Sequence, residues 1–245
     1  MSVAANLIPI REAITAACRR AHRDEASVAL MAVTKFHPVS CILEAHAAGL
    51  RLFGENRVQE FGEKIPALQH LIHPTRSDPP SAQGPSIEVH LIGPLQSNKA
   101  TRAAELFHSI DTVDSLKIAQ RLNAAAQALN KTLPILIEVK LSHEESKHGL
   151  APEDLPALLN AIAKLPHLEA RGLMTVPPWS LDPEPARPYF QTLRRLRDQQ
   201  QKLHPNLTQL SIGMSNDFTV AIEEGSTCVR IGTAIFGKRT PVAQS

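Results

Sequence analysis

Apolar positions along the chain follow two periods, and the two alternate. Between residues 7 and 21, Ile10, Ala13, Ile14 and Ala17 fall at helical spacing with Arg11, Arg19 and Arg20 among them, which predicts an amphipathic helix. Residues 28–34 (VALMAVT) read as a buried strand, and Pro38 then opens a helix, VSCILEAHAAG, with Gly49 as its C-cap. The pair recurs: strand 52–55 with a helix around 58–68, strand 88–92 with helix 97–107, strand 109–113 with helix 115–129. In the second half, strand 134–139 precedes helix 152–165, 169–176 precedes 185–203, 209–212 precedes 216–224, and 228–231 precedes a short GTAIFG segment.

Strands alternating with helices at this number and even spacing fit a closed (β/α)8 barrel better than a doubly wound open sheet. The length of 245 residues is that of one such barrel, so a single domain over residues 1–245 is expected, with one additional helix at the N-terminus. Two longer connections, residues 70–86 and 177–185, are rich in Pro and Ser and read as surface loops, not domain boundaries.

Composition narrows the class of partner. An apolar content of 43% with 20% charged residues is that of a globular chain with a large core. Lys and Arg number 26 against 24 Asp and Glu, a balance too even for a nucleic-acid or anionic-membrane footprint. Seven Phe, one Tyr and one Trp supply few stacking platforms for single strands. Cys18, Cys41 and Cys228 form no CxxC pair, so neither a disulfide framework nor a thiolate zinc site is signalled, and free thiols in a reducing cytoplasm are expected. No apolar run approaches the ~18 residues of a spanning helix, and the N-terminus lacks a signal-peptide pattern. A small-molecule partner is the reading these features share.

In a barrel the chemistry belongs at the carboxyl ends of the strands. The first strand runs into Lys35. Read as buried, its amine loses its charge easily and can attack a carbonyl; read as lying beyond the rim, it is a solvated lysine. The second strand ends at Asn56, which could bond a planar ligand or cap the next helix. His90 sits in mid-strand on the face of Ile92, pointing either into the barrel or towards the helices, where a satisfied core histidine is the commoner case. The GPLQSNK segment after it lacks the spacing of a phosphate-binding loop, and Lys99 reads as a solvated helix residue. The seventh strand ends in SIGMSND and the eighth in RIGT, each with glycine, a hydroxyl and a helix start. Barrels often hold phosphate at that pair of positions, although tight turns and a Ser215 cap explain each loop singly. There is no GxGxxG after a strand, no GxSxG and no HExxH.

The stretches AVTKFHP, FGENRVQEF, HLIGPLQSNK, EESKHGL, GLMTVPP, LSIGMSND and GSTCVRIGTAIFG, in this order over nearly the whole chain, closely resemble the pyridoxal phosphate homeostasis proteins. That family is similar to the N-terminal barrel of alanine racemase. The resemblance implies that pyridoxal 5′-phosphate is held as an aldimine on Lys35. It places Asn56 and His90 among the cofactor-binding residues, and Ser211, Met214, Ser215, Gly232 and Thr233 around the phosphate. Arg230 would face the pyridine nitrogen, where a guanidinium only donates and leaves the ring a weak electron sink. The implied role is intracellular cofactor homeostasis and supply, with trace racemase-like activity at most, no metal, apoenzymes as recipients and a monomeric state. The runner-up is an amino-acid racemase of the alanine racemase type. Racemases add a β-rich domain with a catalytic tyrosine, whereas this sequence stops at the eighth strand–helix unit and its one tyrosine, Tyr189, lies in a helical stretch. A third reading, a barrel enzyme for a phosphorylated metabolite without an aldimine, predicts a colourless protein. The Pro-rich residues 73–86 depart from the short connection expected there.

Overall fold

The structure, a computed structural model, describes residues 2–72, 86–142, 144 and 148–237. The Pro-rich stretch 73–86 therefore lies, Ser86 apart, outside the described residues, as do residues 145–147 of EESKHGL.

Eight parallel strands pair in chain order and close, the last onto the first. They are β1 (Ala29–Val33), β2 (Leu52–Glu55), β3 (Glu88–Leu91), β4 (Ser109–Val113), β5 (Leu133–Glu138), β6 (Leu168–Met174), β7 (Gln209–Ser211) and β8 (Cys228–Ile231). The helices are α1 (Val3–Arg20), α2 (Val39–Ala47), α3 (Val58–Ile72), α4 (Ala100–Leu106), α5 (Leu116–Ala128), α6 (Leu155–Ile162), α7 (Arg187–Gln201), α8 (Phe218–Glu223) and α9 (Thr233–Phe236). The closed (β/α)8 barrel expected from the alternation is the observed architecture.

The additional helix has a structural role. Among the described residues, the segment after β8 holds the four-residue α9, which is short for its side of the sheet. Helix α1 packs against α8, α9 and α2 and so completes the ring. Its attachment is specific: Asn6 Nδ2 donates to the Ile235 carbonyl oxygen at 2.8 Å and the Val3 amide to Glu44 Oε1 at 2.7 Å. The helix begins at Val3, four residues before the expected start, because Ser2 Oγ accepts from the Ala5 amide and caps it. Helix α3 runs on to Ile72, past Pro66, whereas α4 and α6 start later than expected because their first turns are tighter 3-10 turns.

Two compartments follow from strand alternation. Outward residues such as Phe53, Val89, Ile110, Ile137 and Val229 join Phe61, Phe107 and the helices in the main apolar core. The inner face is mixed. Met31 and Ile92 fill the space beside Gly54 so closely that a Cβ there would lie 2.7 Å from Met31 Sδ. Buried Asp111 on β4 interacts electrostatically with Cys228 and Arg230 on β8, which strands so far apart in the sheet can do only through the interior. Among the described residues no helix is long and apolar enough to cross a membrane, and no group of His, Cys, Asp and Glu is arranged to hold a metal ion.

Candidate functional site

A cavity of about 770 Å³ lies at the carboxyl ends of the strands. On its β1 side the chain leaves Val33 and turns sharply, with the His37 amide donating to the Thr34 carbonyl oxygen at 3.0 Å and Phe36 at φ 62°. Half-buried Lys35 occupies that turn and lines the cavity. The turn is fixed from behind. Thr34 Oγ1 donates to Glu55 Oε1 at 2.7 Å, and the Phe36 amide donates to Glu60 Oε1. Lys64 Nζ joins the set, donating to the Thr34 carbonyl oxygen, Glu55 Oε1 and Glu60 Oε1 at 3.1, 2.8 and 2.9 Å. Burial pushes the Glu55 carboxyl up, and Lys64 and Thr34 pull it back down.

The loops after β7 and β8 form the facing wall. Gly213 takes φ 95°, a conformation that favours glycine, and its carbonyl oxygen accepts from the Arg230 amide at 2.9 Å. Asp217 Oδ1 accepts from the Met214 amide at 2.6 Å, and Ser215 Oγ accepts from the Ala234 amide at 3.3 Å, which ties the two loops together. Gly232 lies close against β1: a Cβ there would stand 3.3 Å from the Val33 carbonyl oxygen, tighter than most Cβ contacts. Short helices α8 and α9 start directly behind these loops, so backbone amides gather at this wall.

The floor carries two buried ionisable side chains. Arg230 donates through Nη1 to the Ser211 carbonyl oxygen and Oγ, and through Nη2 to the Thr175 carbonyl oxygen at 3.0 Å. Burial lowers its pKa; Cys228, Asp111, Glu138 and Asp217 act the other way and favour the cation. Glu138, at the end of β5, also lines the cavity. Its neighbours Ile137 and Val139 belong to the outer apolar core, so alternation turns Glu138 inward. Burial pushes its carboxyl up to about 7, with Arg230 pulling down and Asp114 pushing up.

Of the residues expected at the site, Lys35, Asn56, Met214, Ser215, Arg230, Gly232 and Thr233 come together around this cavity. His90 and Ser211 are not among the lining residues. His90 pairs with Gly54 and Ser109, and Ile92, two residues nearer the carboxyl end on the same face, takes the place beside the cavity. Its ring is held instead by Asp111, with Nδ1 3.1 Å from Oδ2. Ser211 stands behind Arg230 as its hydrogen-bond acceptor. Glu138, Thr175, Lys64 and Glu60 are site or supporting residues to which the sequence did not point. For Glu138 a signal existed, since it is the one ionisable side chain of the apolar strand LPILIE.

The fold and site are those of a parallel barrel with a cavity at its strand ends, lined by a lysine after β1, a fixed arginine on β8 and the paired loops after β7 and β8. Residues 10–240 match the family described as alanine racemase, N-terminal domain, and the chain belongs to that family and, within it, to the pyridoxal phosphate homeostasis proteins. It is 43% identical over 238 residues to the pyridoxal phosphate homeostasis protein of Pseudomonas aeruginosa, covering 97% of this chain and 96% of the relative. The corresponding protein of Escherichia coli is 42% identical over 240 residues, with 97% of each covered. Among solved structures, PipY of Synechococcus elongatus with pyridoxal phosphate bound superposes with a TM-score of 0.81 at 37% identity, over 96% of this chain and 100% of that one. Alanine racemase of Clostridium difficile shares the fold, with a TM-score of 0.68 at 12% identity over 96% of this chain and 61% of that one.

Proposed function

We propose that the chain binds pyridoxal 5′-phosphate in this cavity and serves its homeostasis and supply instead of turning over amino acids. The observation that carries the reading is the facing arrangement of Lys35 and the joined β7 and β8 loops across one cavity large enough for the cofactor. The donor set fits the group: an amine for the aldehyde, backbone amides and two hydroxyls for the phosphate, and a buried guanidinium for the ring. When bound, the cofactor supplies an aldehyde that condenses with amines and a ring that withdraws electrons.

Lys35 is the point of covalent attachment. The Thr34–His37 turn, tied to Glu55, Glu60 and Lys64, keeps its backbone at a fixed place on the rim. Ser215, Thr233 and the amides of their loops hold the phosphate, and Gly232 lets the backbone come close. Arg230 orients the ring nitrogen and, being an obligate donor, gives it no proton, which keeps the electron sink weak. Asn56 borders the ring from the β2 side. The names of the relatives support the homeostasis reading over the racemase one. Free thiols at Cys18, Cys41 and Cys228 fit the reducing cytoplasm, where cofactor-free enzymes are the recipients.

The test is paired. Loaded protein is incubated with L- and D-alanine and other amino acids while racemisation, transamination and decarboxylation are followed, and reactivation of a cofactor-free enzyme is measured separately. Reactivation with negligible turnover is expected. Turnover at ~1 s⁻¹ or faster restores the racemase reading.

A further inference from the structure

Glu138 is an ionisable side chain of the cavity to which the residues assigned above give no role. Glu138 is 8% exposed, yet no hydrogen-bond donor among the described residues reaches its carboxyl. Its carboxyl opens to the cavity, and a mostly buried carboxylate with no protein donor favours a neutral acid or pairing with a group that enters the cavity. The neighbouring Arg230 does not resolve this. Its Nη1 and Nη2 are turned to Ser211 and Thr175, so its influence on Glu138 is electrostatic only. The inner neighbour on the same strand, Leu136, is apolar and buried.

We propose that Glu138 is a ligand-recognition residue that meets the bound cofactor as a neutral acid and donates a hydrogen bond to the oxygen substituent of the pyridine ring, leaving the ring nitrogen to Arg230. Such a group specifies ligands with an acceptor at that edge, and it makes binding depend on its own protonation. The reading rests on the cofactor assignment above. The charged groups that act on the Glu138 carboxyl are Arg230 on β8 and Asp114 beyond β4, in opposite directions. Around the rest of the cavity stand Asp217 before α8, Lys35 and His37 after β1, and Lys140 and His148 beyond β5. The carboxyl therefore changes charge near neutral pH, where burial has moved it to about 7. A deprotonated Glu138 would turn a carboxylate towards an acceptor and weaken binding.

The experiment uses pyridoxine 5′-phosphate, whose alcohol in place of the aldehyde prevents condensation with Lys35, so that no proton change from imine formation enters. Its affinity for the wild-type chain and for Glu138→Gln is measured by calorimetry from about pH 6 to about pH 9. The amide donates at every pH, so affinity of the variant relative to wild type should rise at least ~10-fold across that range. Independently of whether the variant folds, the wild-type chain should take up about one proton on binding at pH ~8, read from the dependence of the heat on buffer ionisation. Parallel profiles, or no proton uptake, overturn the proposal alone. Wild-type protein that binds neither pyridoxine 5′-phosphate nor pyridoxal 5′-phosphate at any pH overturns the cofactor reading itself.

Discussion

Lys64 Nζ stands 2.8 Å from Glu55 Oε1 and 3.1 Å from the Thr34 carbonyl oxygen, so one buried ammonium ties the end of β2 to the residue before Lys35. Removing one partner of a buried pair leaves an uncompensated charge and a carbonyl without its donor, a loss of ~3–5 kcal/mol. Lys64→Met is therefore expected to lower the unfolding free energy by that amount in urea titrations. A change below ~1 kcal/mol would show that water or side-chain rearrangement replaces the ammonium at little cost.

Ser215 and Gly232 should respond very differently to substitution. Ser215→Ala removes one neutral hydroxyl, and its loss should weaken pyridoxal phosphate binding by about 0.5–1.5 kcal/mol. Gly232→Val puts carbon atoms against Val33, where even a Cβ lies 3.3 Å from the carbonyl oxygen, and should cost much more. Equilibrium titration of both variants checks the order; equal losses would assign the phosphate chiefly to side-chain hydroxyls.

Glu138 also governs the stability of the ligand-free protein. Its carboxyl titrates at an ordinary 4.5 when unfolded and at about 7 when folded. Between those values the folded chain holds a proton that the unfolded chain has lost, so stability falls as pH rises through the window and levels off above it. Glu138→Gln should be more stable than wild type at pH ~8, by about 3 kcal/mol at most, with no difference at pH ~4. Denaturant midpoints of the two proteins at both pH values measure this.

His90 is the second interior group with a displaced titration. Burial alone lowers its pKa, but Asp111 and Glu88 outweigh burial and raise it from 6.5 to about 9. The folded state thus keeps a proton that the unfolded state releases near 6.5, and this contribution to stability is lost as pH rises towards 9. Proton NMR should give a His90 midpoint near 9, and Asp111→Asn should lower it, with Glu88 still holding it up in part. A midpoint unchanged by that substitution would remove Asp111 as the cause.

The barrel was readable because each unit declares itself locally: an apolar run, a turn residue, then a 3.6-residue period. Lys35 was only half readable from its place: behind VALMAV it could be a buried amine or a solvated one beyond the rim, and the family resemblance singled it out. Glu138 was legible only as the one ionisable side chain of LPILIE. It ends its strand, and which face a residue of a buried parallel strand takes depends on distant partners, here Arg230 on β8, about ninety residues away. The inward parity of His90 was one of two open readings, but its height in the barrel was not fixed until pairing with Gly54 and Ser109 set the register. Likewise the place of α1 is set by its contacts with α8 and α9, about two hundred residues on, a long-range relationship with no local trace.

The central claim is that the cavity holds pyridoxal 5′-phosphate on Lys35. Purified protein incubated with the cofactor, reduced with borohydride and digested should yield one pyridoxyl-modified peptide, carrying the label on Lys35, with the visible absorption lost on reduction. Lys35→Ala should give no stable label under the same treatment. A label found only on Lys99, Lys140 or Lys147, or unchanged labelling in Lys35→Ala, would contradict the account.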